Sequence, residues 1–286
     1  MKQYHDLLKD VLTNGTWKNQ RAVDKNGNPL KTLSVSGAML KFDMRDGFPI
    51  LTTKRVPFKV AAVELEGFIK GITSKSWYSE RKCNIWNEWC NPEKIPSGLT
   101  IEQKIEFMSK EDDLGKFYGY QWTNFNDSGI NQLKENVDRL KANPTDRRMI
   151  TIAWNPQQLN QMSLVPCHYA YQLISDGEHL DLIWIQRSAD VFLGIPFDIV
   201  SYGIQLELIA KTTGMKPRYL IAQLGDTHIY ENHMDQVTEI LSRDTDKYKL
   251  PVFECDPECD IFNWTYEQVR LVDYESYPAI KAEVAI

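Results

Sequence analysis

The stretch from 169 to 186 constrains the fold most. YAYQLIS (169–175) and HLDLIWIQ (179–186) are rich in β-branched, aromatic and leucine residues, and they meet around Asp176-Gly177. That dipeptide is a turn signal, so the two runs read as strands of a hairpin. Strands joined this tightly are antiparallel, because a parallel pair needs a crossover of a dozen or more residues. MITIAW (149–154) and YLIAQL (219–224) read as further strands. Helical spacing lies between and around them. Tyr4, Leu7, Leu8 and Val11 mark one helix near the start. Ile130, Leu133, Val137 and Leu140 share a face over 130–142, and that helix ends before Asn143-Pro144. In FLGIPFDIVSYG (192–203), Gly194 and Pro196 interrupt the chain, and Ile199, Tyr202, Leu206 and Ile209 then recur at helical spacing. Helices and strands are interleaved, yet one connection is a hairpin. The expectation is a mixed α+β fold in one domain over 1–286, in preference to a doubly wound parallel one.

No repeat, low-complexity tract or Pro/Ser-rich linker divides the 286 residues. The polar segment NPEKIPSGLTIEQKIEFMSKEDD (91–113) reads as an insert with a short helix outside the core. The chain is 42% hydrophobic with eight Trp, enough for a sizeable core. No window of about 18 apolar residues is present, which argues against a transmembrane helix, and MKQYHDLLKDVLTNG lacks the apolar run of a secretion signal. Five cysteines without such a signal argue for a reducing cytoplasm and against a disulfide framework. A net charge of −6 disfavours a general nucleic-acid binder, whose affinity rests on neutralising phosphates. A small anionic substrate needs only a local arginine cluster.

Four places offer chemistry, each with a plainer alternative. Cys167, between Pro166 and His168 at a strand entrance, is a candidate thiolate nucleophile or a buried structural cysteine. Arg147 and Arg148, and Gln186-Arg187-Ser188, flank strands and suit a phosphate or a surface ion pair. His228 and Tyr230 stand two apart, so an extended chain puts them on one face, as sugar-hydroxyl ligands or as satisfied core residues. Asp198 stands before the apolar helix of 199–209, where it reads as an N-cap or as a functional acid. The C-x₃-C of CDPEC (255–259) has no second pair and gives no reason to expect a metal, and the two ends of IWNEW (85–89) read as core ahead of cofactor stacking.

Together these segments resemble the thymidylate synthase superfamily. The likeness runs through MKQY, Arg21, GFPILTTKR (47–55), VELEGFIKG around Glu64, IWNEW, LGKFYGYQW (114–122), DRRMITIAWN (146–155), PCH (166–168), QRSADVFLGIPFDIVSYG (186–203), GDTHIYENHMDQ (225–236) and the terminal AEVAI. It implies a thymidylate synthase-like fold, a large twisted mixed sheet covered by helices, with the sheet packing at a homodimer interface. It implies that Cys167 adds to C6 of a pyrimidine nucleotide, with Glu64, Asp198, His168 and Tyr118 managing protons around the base. Arg21, Arg187 and Ser188 would hold the phosphate, with Gln186 and Asp190 also on the nucleotide, and Arg147 and Arg148 would reach the partner's phosphate. His228 and Tyr230 would bind the sugar. Trp86, Asn87, Asp190, Gly194 and Ile286 would border the folate, with Lys54 near its glutamate tail. The one-carbon donor would be 5,10-methylenetetrahydrofolate. No nucleic-acid or membrane partner is implied.

One residue departs from the pattern. Thymidylate synthases carry asparagine where this chain has Asp198. An amide matches uracil, its carbonyl facing N3–H and its amino group the C4 oxygen. Cytosine inverts both groups. The Asp198 carboxyl would accept from the cytosine amine and, if protonated or facing an N3-protonated ring, would also complete the N3 hydrogen bond; ionised, it would set oxygen against oxygen in uracil, a mismatch that discriminates by about 10⁴. Burial beside Phe197 should raise its proton affinity. Asp at this position resembles the deoxycytidylate hydroxymethylase branch, as does the AVDKNGNPLKTLSVSG segment (22–37) after Arg21. The expectation is therefore transfer to C5 of dCMP with water completing the reaction. The alternatives are ordinary thymidylate synthesis from dUMP, or methylation of dCMP by hydride transfer.

Overall fold

A computed structural model describes residues 1–24 and 27–284. The chain opens with α1 (Lys2–Asn14), whose Tyr4, Leu7, Leu8 and Val11 are buried as their spacing predicts. Strands β1 (Thr16–Val23) and β2 (Pro29–Asp43) form an antiparallel pair. Helices α2 (Phe58–Ile69), α3 (Lys75–Glu80), α4 (Ile101–Lys110), α5 (Gly119–Thr123) and α6 (Gln132–Ala142) follow. Then come β3 (Ile150–Ile152), β4 (His168–Ser175), β5 (His179–Asp190), α7 (Gly194–Thr213), β6 (Lys216–Tyr230), α8 (Met234–Leu241), β7 (Val252–Cys255) and β8 (Val269–Val272).

Six strands make one sheet in the order β1-β2-β6-β5-β4-β3, and β7 pairs with β8 apart from it. The hairpin expected at Asp176-Gly177 is present, with β4 and β5 antiparallel from Ser175–Leu180 to His168–Gln186. Among the described residues only β5 and β6 run parallel, and α7 supplies their crossover. The sheet is therefore mixed, and the α+β expectation holds. The strands outrun the segments read from sequence. β6 begins at Lys216 and continues through the GDTHIY segment to Tyr230, so His228 and Tyr230 lie on a strand paired with both β2 and β5.

Helix α7 explains why one stripe of apolar spacing understated it. Beyond Ile199, Tyr202, Leu206 and Ile209, it also buries Ile195, Val200, Ile204 and Leu208. A helix apolar on nearly every side is buried on nearly every side. It ends at Gly214, whose left-handed backbone (φ 72) returns bonds to the Ala210 and Lys211 carbonyls. It starts at Gly194, with Pro196 in its first turn where a missing N–H costs nothing. Asp198 thus sits in the second turn, and the N-cap reading of it is incorrect.

Two smaller expectations are corrected or met. Ile130 lies outside α6 and is 42% exposed, bridging to Phe125 instead of joining the apolar face. The 91–113 segment does carry a helix, α4, with no buried residue and a Thr100/Gln103 capping box. No helix among the described residues is long and apolar enough to cross a membrane.

Candidate active site

Cys167 stands where the chain enters β4, half-buried. Two elements fix it. Its amide donates to the Tyr118 hydroxyl at 2.9 Å, and its carbonyl accepts from the Arg187 amide at 2.9 Å. Tyr118 precedes α5 with a positive φ of 25, an uncommon conformation for a bulky residue and a sign that its surroundings hold it. Its ring stacks on Phe68 of α2 (centroids 5.0 Å) and on His168 (4.4 Å). Burial pushes the Cys167 thiol up, while Arg187, Tyr118 and Arg21 pull it back and Asp198 adds to the rise. The net shift is upward. Burial outweighs both arginines.

Arg187 is locked in place by bonds from Nε to the Pro166 carbonyl (2.9 Å) and from Nη2 to the Val165 carbonyl (3.0 Å). It also lies over the Trp154 ring. Ser188 faces Asp226 across β5 and β6. Gln186 is buried, accepts from Trp184 Nε1 at 3.0 Å and donates to the Ser188 carbonyl at 3.1 Å. Arg21, on the exposed strand β1, acts electrostatically on both Cys167 and Tyr230. His228 and Tyr230 do share a face, with rings 5.1 Å apart, and His228 Nδ1 meets Asp226 Oδ1 at 3.1 Å.

A second cluster lies on the other side of His168. Its Nδ1 meets the Tyr202 hydroxyl at 2.8 Å, and its Nε2 stands 3.7 Å from Asp198 Oδ1. Burial pushes the imidazole down to about 3, so His168 is neutral at ordinary pH. Burial pushes Asp198 up to about 7, with Gln186 opposing and Asp190 reinforcing the rise. Glu64, on α2, is pushed up to about 8 by burial first and by the charge of Asp198 second, against the Trp86 N–H. Two largely shielded carboxyls, with proton affinities raised toward neutral pH, are suited to giving and taking protons.

Asp190 ends β5 and accepts from the Phe192 and Leu193 amides at 3.0 and 3.2 Å, turning the chain into α7. Gly194 follows directly; a Cβ there would lie 3.6 Å from Asp190 Cβ and 3.9 Å from Asp198 Oδ2. Trp86 is a buried wall residue against Phe117 (4.7 Å), so the core reading of its ring holds, while Asn87 beside it is half-buried. Lys54 is turned inward, donating to the Phe192 carbonyl over the Phe192 ring, and burial pushes it down to about 8. It is not the open cation expected at a glutamate tail. Ile286 lies outside the described residues, as do Lys25 and Asn26 of the 22–37 segment.

Arg147 and Arg148 stand apart from this cluster. Both are exposed, around a surface depression of about 320 Å³, and Arg148 pairs with Asp146 at 2.8 Å. Sequence reading missed Tyr202 as the partner of His168, Phe68 as the plate under Tyr118, and Ser201 and Gln205 on α7. The last two carried a signal: they are polar residues three and seven places after Asp198 in a largely apolar helix.

A half-buried thiol beside the fixed Arg187, flanked by two carboxyls of raised proton affinity, defines a site for nucleophilic addition to an anionic substrate. The chain belongs to the thymidylate synthase family: the family's model, described as "Thymidylate synthase", matches residues 2–286. Three curated relatives are similar over 100% of both chains. Each is named thymidylate synthase: that of Mycoplasma genitalium is 41% identical, that of Mycoplasma pneumoniae 39% and that of Mycoplasma mobile 40%. These names overturn the expectation of a deoxycytidylate hydroxymethylase. The physical reason lies in Asp198. The case against uracil took its carboxyl as ionised, whereas burial pushes it up to about 7 and favours the neutral form below that value. A neutral carboxyl offers one carbonyl acceptor and one O–H donor, the same pair that an amide presents.

Proposed function

We propose that this protein is a thymidylate synthase, converting dUMP and 5,10-methylenetetrahydrofolate to dTMP and dihydrofolate. The observation that carries this reading is 41% identity, end to end, with a protein of that name. The neutral Asp198 removes the one obstacle: its carbonyl accepts from uracil N3–H and its O–H donates to O4.

Cys167 loses its proton and its sulfur bonds to C6, which makes C5 a carbon nucleophile. C5 attacks the donor's methylene, the C5 proton leaves, and tetrahydrofolate departs from an exocyclic methylene. Hydride from tetrahydrofolate reduces that methylene to methyl, and the thiolate is released from C6. Donation from Asp198 to O4 stabilises the charge that builds there on addition, with Glu64 as the acid and base near the same edge. Arg21, Arg187 and Ser188 hold the phosphate, and His228 and Tyr230 take the sugar hydroxyl. Tyr118 positions Cys167. Asn87, Asp190 and Gly194 border the folate; inward-facing Lys54 has no part in this reading. Arg147 and Arg148, exposed and without a role in their own subunit's cluster, serve the phosphate of a homodimer partner.

The test is incubation of the purified protein with methylenetetrahydrofolate and either dUMP or dCMP. Dihydrofolate absorbance growing with dUMP, and dTMP as the product, are expected. Turnover of dCMP with none of dUMP overturns the reading.

A further inference from the structure

The two cysteines of CDPEC take no part in the reaction above, and the fold brings them against the last turn of α7. Both thiols are free. Cys255 ends β7 and is half-buried, whereas Cys259 is 3% exposed. Between them the chain turns through Pro257 and Glu258, and the Cys259 amide donates to the Asp256 carbonyl at 3.1 Å. A turn closed in this way holds its ends within about 7 Å, which returns Cys259 to the neighbourhood of Cys255. Lys211 of α7 joins them. Its Nζ donates to Cys255 Sγ at 3.4 Å and to the Asp256 carbonyl at 2.5 Å. The ammonium and the Cys259 amide thus converge on one oxygen. Arg270 takes the neighbouring carboxylates of Glu254 and Asp256, at 2.8 and 3.2 Å. On the far side of Cys259, the Ile261 amide donates to Thr212 Oγ1 at 2.8 Å and ties the segment to the helix. Burial pushes the Cys259 thiol up, Cys255 adds to the rise and Lys211 opposes it, so all three groups lie within electrostatic reach.

We propose that Cys255 and Cys259 form a peroxide-modified thiol pair, in which Lys211 activates Cys255 and Cys259 resolves the product as an intrachain disulfide. The attacking species is a thiolate, and an ammonium in contact with the sulfur favours it. A protonated second thiol close by is what a sulfenic acid needs to condense with. The oxidant is hydrogen peroxide. The Cys255 sulfur bonds to one peroxide oxygen, the O–O bond breaks, and the departing hydroxide takes up a proton and leaves as water. Cys255 is then a sulfenic acid. The Cys259 sulfur attacks the Cys255 sulfur, an S–S bond forms, and the S–O bond breaks. The hydroxyl leaves as a second water with the Cys259 proton. The two thiols lose two electrons in all, and one peroxide becomes two waters. Lys211 positions and charges the attacking sulfur and changes no bond of its own. Cys83 and Cys90, 0% and 1% exposed, are shielded from the oxidant. Lys211 lies about 20 Å along α7 from Asp198, so the pair reacts independently of the substrate site.

The test treats the reduced full-length protein with hydrogen peroxide near neutral pH. Remaining thiols are alkylated at intervals, and peptides are mapped by mass spectrometry. A disulfide between Cys255 and Cys259, reversed by dithiothreitol, is the expected product. Lys211 is exposed, so replacing it leaves the core intact. Lys211→Met is expected to slow the disulfide about tenfold, the effect of about one pH unit in thiol ionisation. Lys211→Arg keeps the charge and is expected to keep the rate within about threefold of the parent's. In Cys259→Ser the reaction should stop at the Cys255 sulfenic acid, which a 1,3-diketone probe captures. The inference is overturned if Cys255 and Cys259 stay reduced while Cys167 is oxidised. It is overturned equally if Lys211→Met reacts as fast as the parent, or if Cys259→Ser gives no captured sulfenic acid at Cys255. Thiol state is read directly, without turnover, so a parent inactive on dUMP would defeat the functional reading and leave this result standing.

Discussion

At the scale of single residues, the site depends on which carboxyl holds a proton. Asp198 reads uracil only as the neutral acid, so productive binding should be present below about pH 7 and lost as pH rises through that value. Asp198→Asn supplies the same donor and acceptor without titrating. It should therefore retain dUMP turnover and shed the part of the alkaline decline that Asp198 causes; a pH–rate profile superimposable on the parent's would contradict this. Glu64→Gln keeps the shape and loses the proton, and turnover should fall by about 10²–10⁴ with modest change in dUMP affinity. Pre-steady-state and equilibrium binding measurements separate the two effects. Residue types and spacing made Cys167, Glu64, Arg187 and Asp198 legible as candidates. They also pointed to a raised proton affinity at Asp198 beside Phe197, but its extent depends on atoms contributed by α2, β4 and β5 from distant parts of the chain. Lys54 shows the same limit: as a type it reads as a surface cation, and only the fold turns it onto the Phe192 carbonyl.

At the scale of elements, the nucleophile is placed by the approach of α5 to α2. Gly119 allows that approach, since a Cβ there would fall 2.1 Å from the Phe68 carbonyl oxygen. Backbone on backbone cannot give way, so Gly119→Ala must separate the helices. A loss of about 1–3 kcal/mol in unfolding free energy is expected, measured by denaturant titration. Tyr118, next in the chain and bonded to the Cys167 amide, should move with it and reduce kcat. Native stability together with native activity in this variant would show that the helices are less constrained than the packing indicates. Element boundaries were the least legible feature of the sequence. The hairpin, the α1 face and α6 were readable from local pattern. The start of α7 was not, because Gly194 and Pro196 read as breakers when taken alone, while tertiary packing carries the helix through both.

At the scale of the whole molecule, the buried carboxyls oppose folding at high pH. Glu64 and Asp198 hold protons more tightly folded than unfolded, with values near 8 and 7 against ordinary carboxylates near 4. The folded state therefore binds more protons between those values. Stability contributed by the neutral forms is complete below about pH 4 and is lost as pH rises toward 7 and 8. Each group contributes a slope of up to about 1.4 kcal/mol per pH unit in that window. Chemical denaturation of the ligand-free protein at several pH values should show the decline, and Asp198→Asn should flatten it. A second expectation concerns assembly. If Arg147 and Arg148 serve the partner's site, mixing inactive Cys167→Ser with a variant in which both arginines are alanine should restore activity. Random exchange of subunits gives roughly one quarter of the parent's value. No recovery after exchange would place those arginines outside the reaction.

The sequence by itself determined the fold class and the family and proposed candidates for the site, because periodicity, turn chemistry and ordered motifs are local and survive in one dimension. It did not determine the substrate, since an ionised Asp198 rejects uracil whereas a neutral one can turn its donor and acceptor to either pyrimidine. The charge on that group follows from how completely α2, β4, β5 and α7 exclude water from it, and so does the lift on Cys167 that its arginines do not cancel. Exclusion of water belongs to the packed molecule, where the electrostatic cost of a buried charge is set.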